Sequence, residues 1–210
     1  MKITEIFHSL QGEGIKIGLP TTFVRTSSCN LRCEWCDTRY AWEGGEEMDI
    51  SEIMEKIDEI GCSRVCITGG EPLLQDDILS LIDQLLENYE ISVETNGSID
   101  ISELVERDLM VSMDYKTPSS KMNNKMRKEN LNLLRKTDQL KFVISDKKDY
   151  NFSLNVIESF DLECKTIFQP VEEGDLDIKE LAESVLEDGL DVRVLPQLHK
   201  IIWKEEEGSF

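Results

Sequence analysis

Short runs rich in Val, Ile and Phe alternate with amphipathic stretches along most of the chain, and that alternation closes off most architectures. Strands are predicted over residues 22–26, 64–68, 91–94, 109–114, 140–145, 166–169 and 192–195. Helices are predicted between them over 51–60, 76–87, 125–135, 150–160 and 178–187, with apolar residues three and four apart, as at Ile53, Ile57 and Ile60. Ser51 is expected to cap its helix without a strict capping box. Strand–helix repetition of this kind builds a parallel sheet through right-handed crossovers. About six or seven units fit, short of the eight that close a barrel, so a partial barrel or open parallel α/β sheet is expected. No repeat and no Pro/Gly/Ser-rich linker interrupts the sequence, which reads as one domain over residues 1–210.

Charge narrows the partners. Lys and Arg number 23 against 43 Asp and Glu, giving a formal net charge of −20. That balance opposes binding to nucleic acid phosphates or to an anionic membrane face. With 40% hydrophobic and 31% charged residues the chain reads as a soluble globular protein. No apolar run approaches the roughly 20 residues of a membrane span. The opening Met1-Lys2-Ile3-Thr4-Glu5 lacks the apolar core of a signal peptide, so a cytoplasmic location is expected. The stretch 116–128 is locally basic and is read as the solvated start of a helix, with one functional residue, Lys116, at its edge.

Three polar loops fall at the C-terminal ends of predicted strands: Gly69-Gly70-Glu71-Pro72, Thr95-Asn96-Gly97 and Asp114-Tyr115-Lys116. In parallel α/β folds that rim carries the ligand site, because the strand–helix loops converge there. Any one of these loops could be ordinary turn chemistry; all three together point to a site.

The cysteines sharpen the reading. Cys29, Cys33 and Cys36 form a C-x3-C-x2-C cluster directly after a strong strand, while Cys62, Cys66 and Cys164 are scattered and read as buried thiols. Soft thiolates suit iron–sulfur clusters or zinc. A structural zinc site closes its tetrahedron with four ligands, yet the only histidines, His8 and His199, are remote from the cysteines in sequence. Three cysteines without an obvious fourth ligand suit a [4Fe–4S] cluster with one iron open to a small chelating molecule.

With Trp35 before Cys36, the cysteine segment resembles the signature of the radical S-adenosylmethionine superfamily, and Gly69-Gly70-Glu71-Pro72 resembles its second motif. Further segments are similar to the 7-carboxy-7-deazaguanine synthase family. These are Leu10-Gln11-Gly12-Glu13-Gly14, Phe23-Val24-Arg25, Cys36-Asp37-Thr38, Glu94-Thr95-Asn96-Gly97, Lys116–Lys121 and the tail Val194–His199. The resemblance implies a modified (β/α)6 partial barrel, usually homodimeric. It also implies a lyase that contracts the ring of 6-carboxy-5,6,7,8-tetrahydropterin to 7-carboxy-7-deazaguanine with loss of ammonia, on the route to queuosine and archaeosine. A radical generated from S-adenosylmethionine would abstract hydrogen from C6 of the pterin, with the cofactor regenerated afterwards. An electron donor such as flavodoxin or ferredoxin is implied too.

Carried over position by position, the resemblance makes Cys29, Cys33 and Cys36 the cluster ligands. Trp35, Asp37, Gly70, Glu71, Gly97, Asp114 and Lys116 would surround S-adenosylmethionine. Leu10, Gln11, Gly12, Arg25, Thr95 and the terminal carboxylate of Phe210 would meet the pterin, with Arg25 gripping its 6-carboxylate. Thr38 would hold Mg²⁺ beside the substrate, and Glu13 would either orient the ring or cap its loop. Many family members carry Ser-Pro-Lys where this chain has Asp114-Tyr115-Lys116, so only Lys116 matches there. Two other readings are an activating enzyme for a glycyl-radical protein, of the anaerobic ribonucleotide reductase type, and a zinc-binding interaction module.

Overall fold

The seven predicted strands all form, and β-branched and aromatic residues on their outer faces explain why. The computed structural model describes residues 1–172 and 174–203. In chain order the strands are β1 (Lys2–Leu10), β2 (Pro20–Thr26), β3 (Glu46–Glu47), β4 (Arg64–Gly69), β5 (Glu90–Thr95), β6 (Met110–Asp114), β7 (Gln139–Ile144), β8 (Lys165–Pro170) and β9 (Arg193–Val194). They join in one sheet of order β3-β1-β2-β4-β5-β6-β7-β8-β9. From β2 to β9 every pairing is parallel, while β1 runs antiparallel to both β2 and β3. The two ends of the sheet do not pair with each other, so the barrel is partial.

The helices are α1 (Ile50–Ile60), α2 (Ile78–Leu85), α3 (Ser102–Val105), α4 (Lys147–Ser159), α5 (Ile178–Glu187) and α6 (Leu198–Trp203). Their apolar sides, including Ile53, Ile57, Leu81, Ile82, Leu85 and Leu181, join Val65, Ile67, Val93, Val111, Leu140 and Phe142 in one buried core. Helix α1 begins one residue earlier than expected and does carry a full capping box: Asp49 accepts from Glu52 N, and the Glu52 carboxylate accepts from Asp49 N. Gly61, left-handed at φ 71°, ends that helix.

Three further sequence expectations are corrected. The stretch 125–135 is not an α-helix; β6 and β7 are joined by short 3₁₀ turns at Pro118–Ser120, Asn123–Lys125 and Lys128–Asn132. Side chains tie this connection down instead of a helical ladder. Asn130 donates to Gly97 O and Ile99 O, and Arg135 donates to the carbonyls of Val105, Arg107 and Leu109. Lys116 therefore does not open a helix either. Cys62 is only partly covered, with its thiol on Pro20 O, whereas Cys66 and Cys164 are buried as expected.

Parallel strands are ordinarily apolar on both faces. Here the face turned away from the helices is polar, and along β7 Lys141 and Val143 point to it while Leu140, Phe142 and Ile144 enter the core. Bonds run from strand to strand across that inner face: Ser112 donates to Glu94, and Gln139 donates to Ser112. The fold thus presents one apolar side to its helices and one ionisable side to a cavity.

Candidate active site

A cavity of about 890 Å³ opens over the inner face and the C-terminal ends of the strands, within the size range of small-molecule and cofactor sites. One wall is the cysteine loop. Cys29, Cys33 and Cys36 all line it, together with Trp35, Asp37 and Thr38. The loop is braced from behind by the turn after β6. Trp35 Nε1 donates to Ser119 Oγ at 3.0 Å, Ser119 is held by Asp149 of α4, and Glu34 N donates to Ser120 O at 3.2 Å. Burial pushes the Cys33 thiol up to about 11 and the Cys29 thiol upward as well, with the Lys116 ammonium pulling against both. Among the described residues no three His, Cys, Asp or Glu side chains converge on a position for a single ion. Three cysteines on one wall beside the buried Lys116 ammonium suit an anionic, thiolate-ligated cluster.

The second wall is the Gly69–Asn96 region. Gly69 and Gly70 are there because nothing larger fits: a Cβ on Gly69 would lie 2.3 Å from Thr26 O, and one on Gly70 would lie 2.1 Å from Ser28 O. This close packing sets the 69–72 loop against the start of the cysteine loop, with Glu71 N donating to Ser28 O. Gly70, Thr95 and Asn96 reach the cavity. Glu71 and Gly97, both expected around the cofactor, are not among the residues that line it. The Glu71 carboxylate is fully buried and accepts from Leu73 N, Thr95 Oγ1 and Asn96 N at 3.1, 2.9 and 2.7 Å. Burial raises its pKa and these donors pull it back. Glu71 binds two loops to each other, and Gly97 turns one of them at φ 72°.

The floor is a chain of buried charges. Lys116, its ammonium 5.0 Å from the Trp35 ring centre, pairs with Asp114 at 2.9 Å. Lys141 pairs with Glu13 and lies 3.8 Å from Glu94 and 3.9 Å from Asp114. Burial works against the Lys141 ammonium, yet Glu13, Glu94 and Asp114 hold its pKa well above 10.5. Burial likewise opposes the Glu13 carboxylate, but Lys141, Gln197 and His199 keep it well below the usual carboxylate range. Glu94 is raised by burial and by its acidic neighbours. Two acceptors on this floor, Asp114 Oδ1 and Gln169 Oε1, are buried without a partner among the described residues, which a bound ligand bearing N–H groups would satisfy.

Leu10, Gln11 and Gly12 form a further part of the rim. Their loop is self-supporting: Gln11 N donates to Leu19 O, Gln11 Oε1 accepts from Glu13 N, and Gly12 O accepts from Leu198 N of the tail. Arg25 completes the rim and lies against Glu5, Phe7 and Tyr40. The Phe210 carboxylate expected at the substrate lies outside the described residues.

Sequence reasoning left several cavity residues without a role: Lys141, Glu94, Gln169, Gln197, His199, Glu5 and Tyr40. Lys141 had a readable signal, a cation inside an otherwise apolar strand. Glu5 and Tyr40 had none, since their positions depend on how β1 and the cysteine loop pack.

The comparisons agree with this geometry. The Radical SAM superfamily model matches residues 23–138. A 7-carboxy-7-deazaguanine synthase from Thermoplasma acidophilum is 43% identical over 99% of this chain and 100% of its own. One from Clostridium acetobutylicum is 37% identical over 96% of each chain. The fold matches the crystal structure of QueE from Escherichia coli with a TM-score of 0.76 over 94% of both chains, at 23% identity. The chain belongs to the 7-carboxy-7-deazaguanine synthase family of the radical S-adenosylmethionine superfamily.

Proposed function

We propose that this protein converts 6-carboxy-5,6,7,8-tetrahydropterin to 7-carboxy-7-deazaguanine, as a lyase that releases ammonia in 7-deazapurine biosynthesis. The observation that carries the reading is the opening of the three-cysteine loop and of Arg25 onto one cavity. Membership of the superfamily implies a [4Fe–4S] cluster and S-adenosylmethionine; together, when bound and reduced, they supply a carbon radical that no side chain provides. Cys29, Cys33 and Cys36 would hold the cluster. Lys116 offsets its negative charge, and Trp35, Asp37, Gly70 and Asp114 would border the sulfonium cofactor. Glu71 and Gly97 would serve that cofactor through the loops they fix.

Arg25 would take the 6-carboxylate as a guanidinium fork. Leu10, Gln11, Gly12 and Thr95 would wall the ring, and the unpartnered Gln169 Oε1 and Asp114 Oδ1 offer acceptors to N–H donors. Thr38 would supply a hard oxygen ligand to Mg²⁺, with substrate oxygens and water completing the octahedron. A homodimer in the cytoplasm, reduced by a flavodoxin or ferredoxin, is the expected working form.

Ammonia release tests the reading. Cluster-loaded protein given 6-carboxytetrahydropterin, S-adenosylmethionine and a strong reductant under anaerobic conditions should release ammonia one-for-one with pterin consumed. An activating enzyme for a glycyl-radical protein would instead leave the pterin untouched, and that result would overturn the proposal.

A further inference from the structure

Arg25 does not stand alone on its strand. Ile3 of β1 pairs with Thr26 of β2, yet Glu5 pairs with Arg25, so two residues of β1 span one residue of β2 and Thr4 is the extra one. Without this bulge Thr4 would stand opposite Arg25, and Glu5 would face the other side of the sheet. The bulge brings the Glu5 carboxylate to the guanidinium, where Oε1 accepts from Arg25 Nε at 2.6 Å. Tyr40 donates its hydroxyl to the same Glu5 oxygen at 2.9 Å. The guanidinium also lies 5.7 Å from the Phe7 ring centre and 5.8 Å from that of Tyr40, and Phe7 is itself stacked on Phe23 at 5.0 Å. Glu5, Phe7, Phe23, Arg25 and Tyr40 all line the cavity.

We propose that Glu5 and Tyr40 are positioning residues that set Arg25 for the substrate carboxylate, with the β1 bulge as the device that puts Glu5 in place. The inference rests on Arg25 being the carboxylate-binding group of the proposed function. An arginine on a flexible stem loses rotamer freedom when it binds an anion, and a fork already fixed does not. Glu5 takes the Nε edge, so a ligand carboxylate is met by the two Nη atoms at the far end of the fork. Tyr40 keeps the carboxylate of Glu5 in place and closes the open side of the guanidinium. Tyr40 follows Cys36 by four residues, so the ordering of the cysteine loop and of the carboxylate clamp is shared.

The test compares equilibrium binding of 6-carboxypterin with that of pterin lacking the carboxylate, on cluster-loaded protein, with thermal unfolding followed in parallel. The unmodified protein should prefer the carboxylated ligand. Glu5→Ala should reduce that preference by about tenfold, the scale of one charge-assisted hydrogen bond, while binding of plain pterin stays unchanged. Glu5→Gln, which still accepts from Nε, should restore most of the preference. Tyr40→Phe keeps the half-exposed ring and should cost a smaller part of it. Equal weakening of both ligands by Glu5→Ala, or a preference that survives it, overturns the positioning role alone. No preference in the unmodified protein overturns the carboxylate assignment of Arg25 and the inference with it.

Discussion

At Lys141 one buried ammonium compensates Glu13, Glu94 and Asp114. Removing one partner from such a group leaves charges buried and uncompensated, at a cost of about 3–5 kcal/mol. Lys141→Ala should therefore destabilise the fold on that scale in urea unfolding. Lys179→Ala breaks only an exposed pair with Glu183 at 3.8 Å, and should cost no more than about 0.5 kcal/mol. The pH dependence follows from the same group. Glu13 gives up its proton more readily folded than unfolded, so its contribution is full above pH 4.5, its ordinary value, and is lost as pH falls toward the folded value. Lys141 is shifted upward and keeps its share until pH climbs beyond 10.5. Glu94 works in the opposite sense at low pH, being raised. The measurement is thus the stability difference between the unmodified protein and Glu13→Gln, which should shrink as pH is taken below 4.5. Two further substitutions separate the walls of the cavity. Cys33→Ala should abolish iron retention and turnover together. Arg25→Ala should raise the pterin KM on the order of 10- to 100-fold, the loss of a charge-assisted pair, while S-adenosylmethionine binds as before.

Among the elements, what the sequence made legible is what depends on local pattern. The strands β2 and β4 to β9 follow from runs of Val, Ile and Phe, and α1 and α5 follow from apolar residues at helical spacing. Strand β1 escaped because its bulge at Thr4 breaks the period of two, and of its nine residues only Ile3 is buried. The 125–135 stretch had helical spacing but belongs to a connection whose backbone is tied by Asn130 and Arg135, contacts that no local pattern announces. The cofactor loops were legible as motifs, whereas the inward turn of Glu71 was not, since two of its donors, Thr95 Oγ1 and Asn96 N, come from a segment about 25 residues on. Glu71→Ala should strand buried donors at Leu73 and Asn96 and cost about 1–3 kcal/mol, visible as a lowered Tm of the cluster-free protein. The Asp49 cap was hidden behind Ser51, which also suits a helix start; Asp49→Ala should cost about 1 kcal/mol in the same measurement.

For the whole molecule, one continuous sheet with one core underlies the site, and both halves of the site depend on it. The carboxylate clamp sits on β1, β2 and the segment that follows β2, the cluster loop on that same segment, the glycine loop after β4, and the charged floor on β5 to β7 with Glu13 from the loop after β1. The apoprotein should consequently unfold in a single cooperative transition, with the same midpoint by circular dichroism and by tryptophan fluorescence. The chain carries a formal net charge of −20, and inside the cavity Arg25, Lys116 and Lys141 are each held beside a carboxylate, of Glu5, Asp114 and Glu13 respectively. The decisive measurement is anaerobic turnover of cluster-loaded protein with 6-carboxytetrahydropterin, S-adenosylmethionine, Mg²⁺ and a strong reductant, with all products identified by mass spectrometry. Formation of 7-carboxy-7-deazaguanine without stoichiometric loss of S-adenosylmethionine is the expected result. Cleavage of S-adenosylmethionine to deoxyadenosine with the pterin returned intact would contradict it.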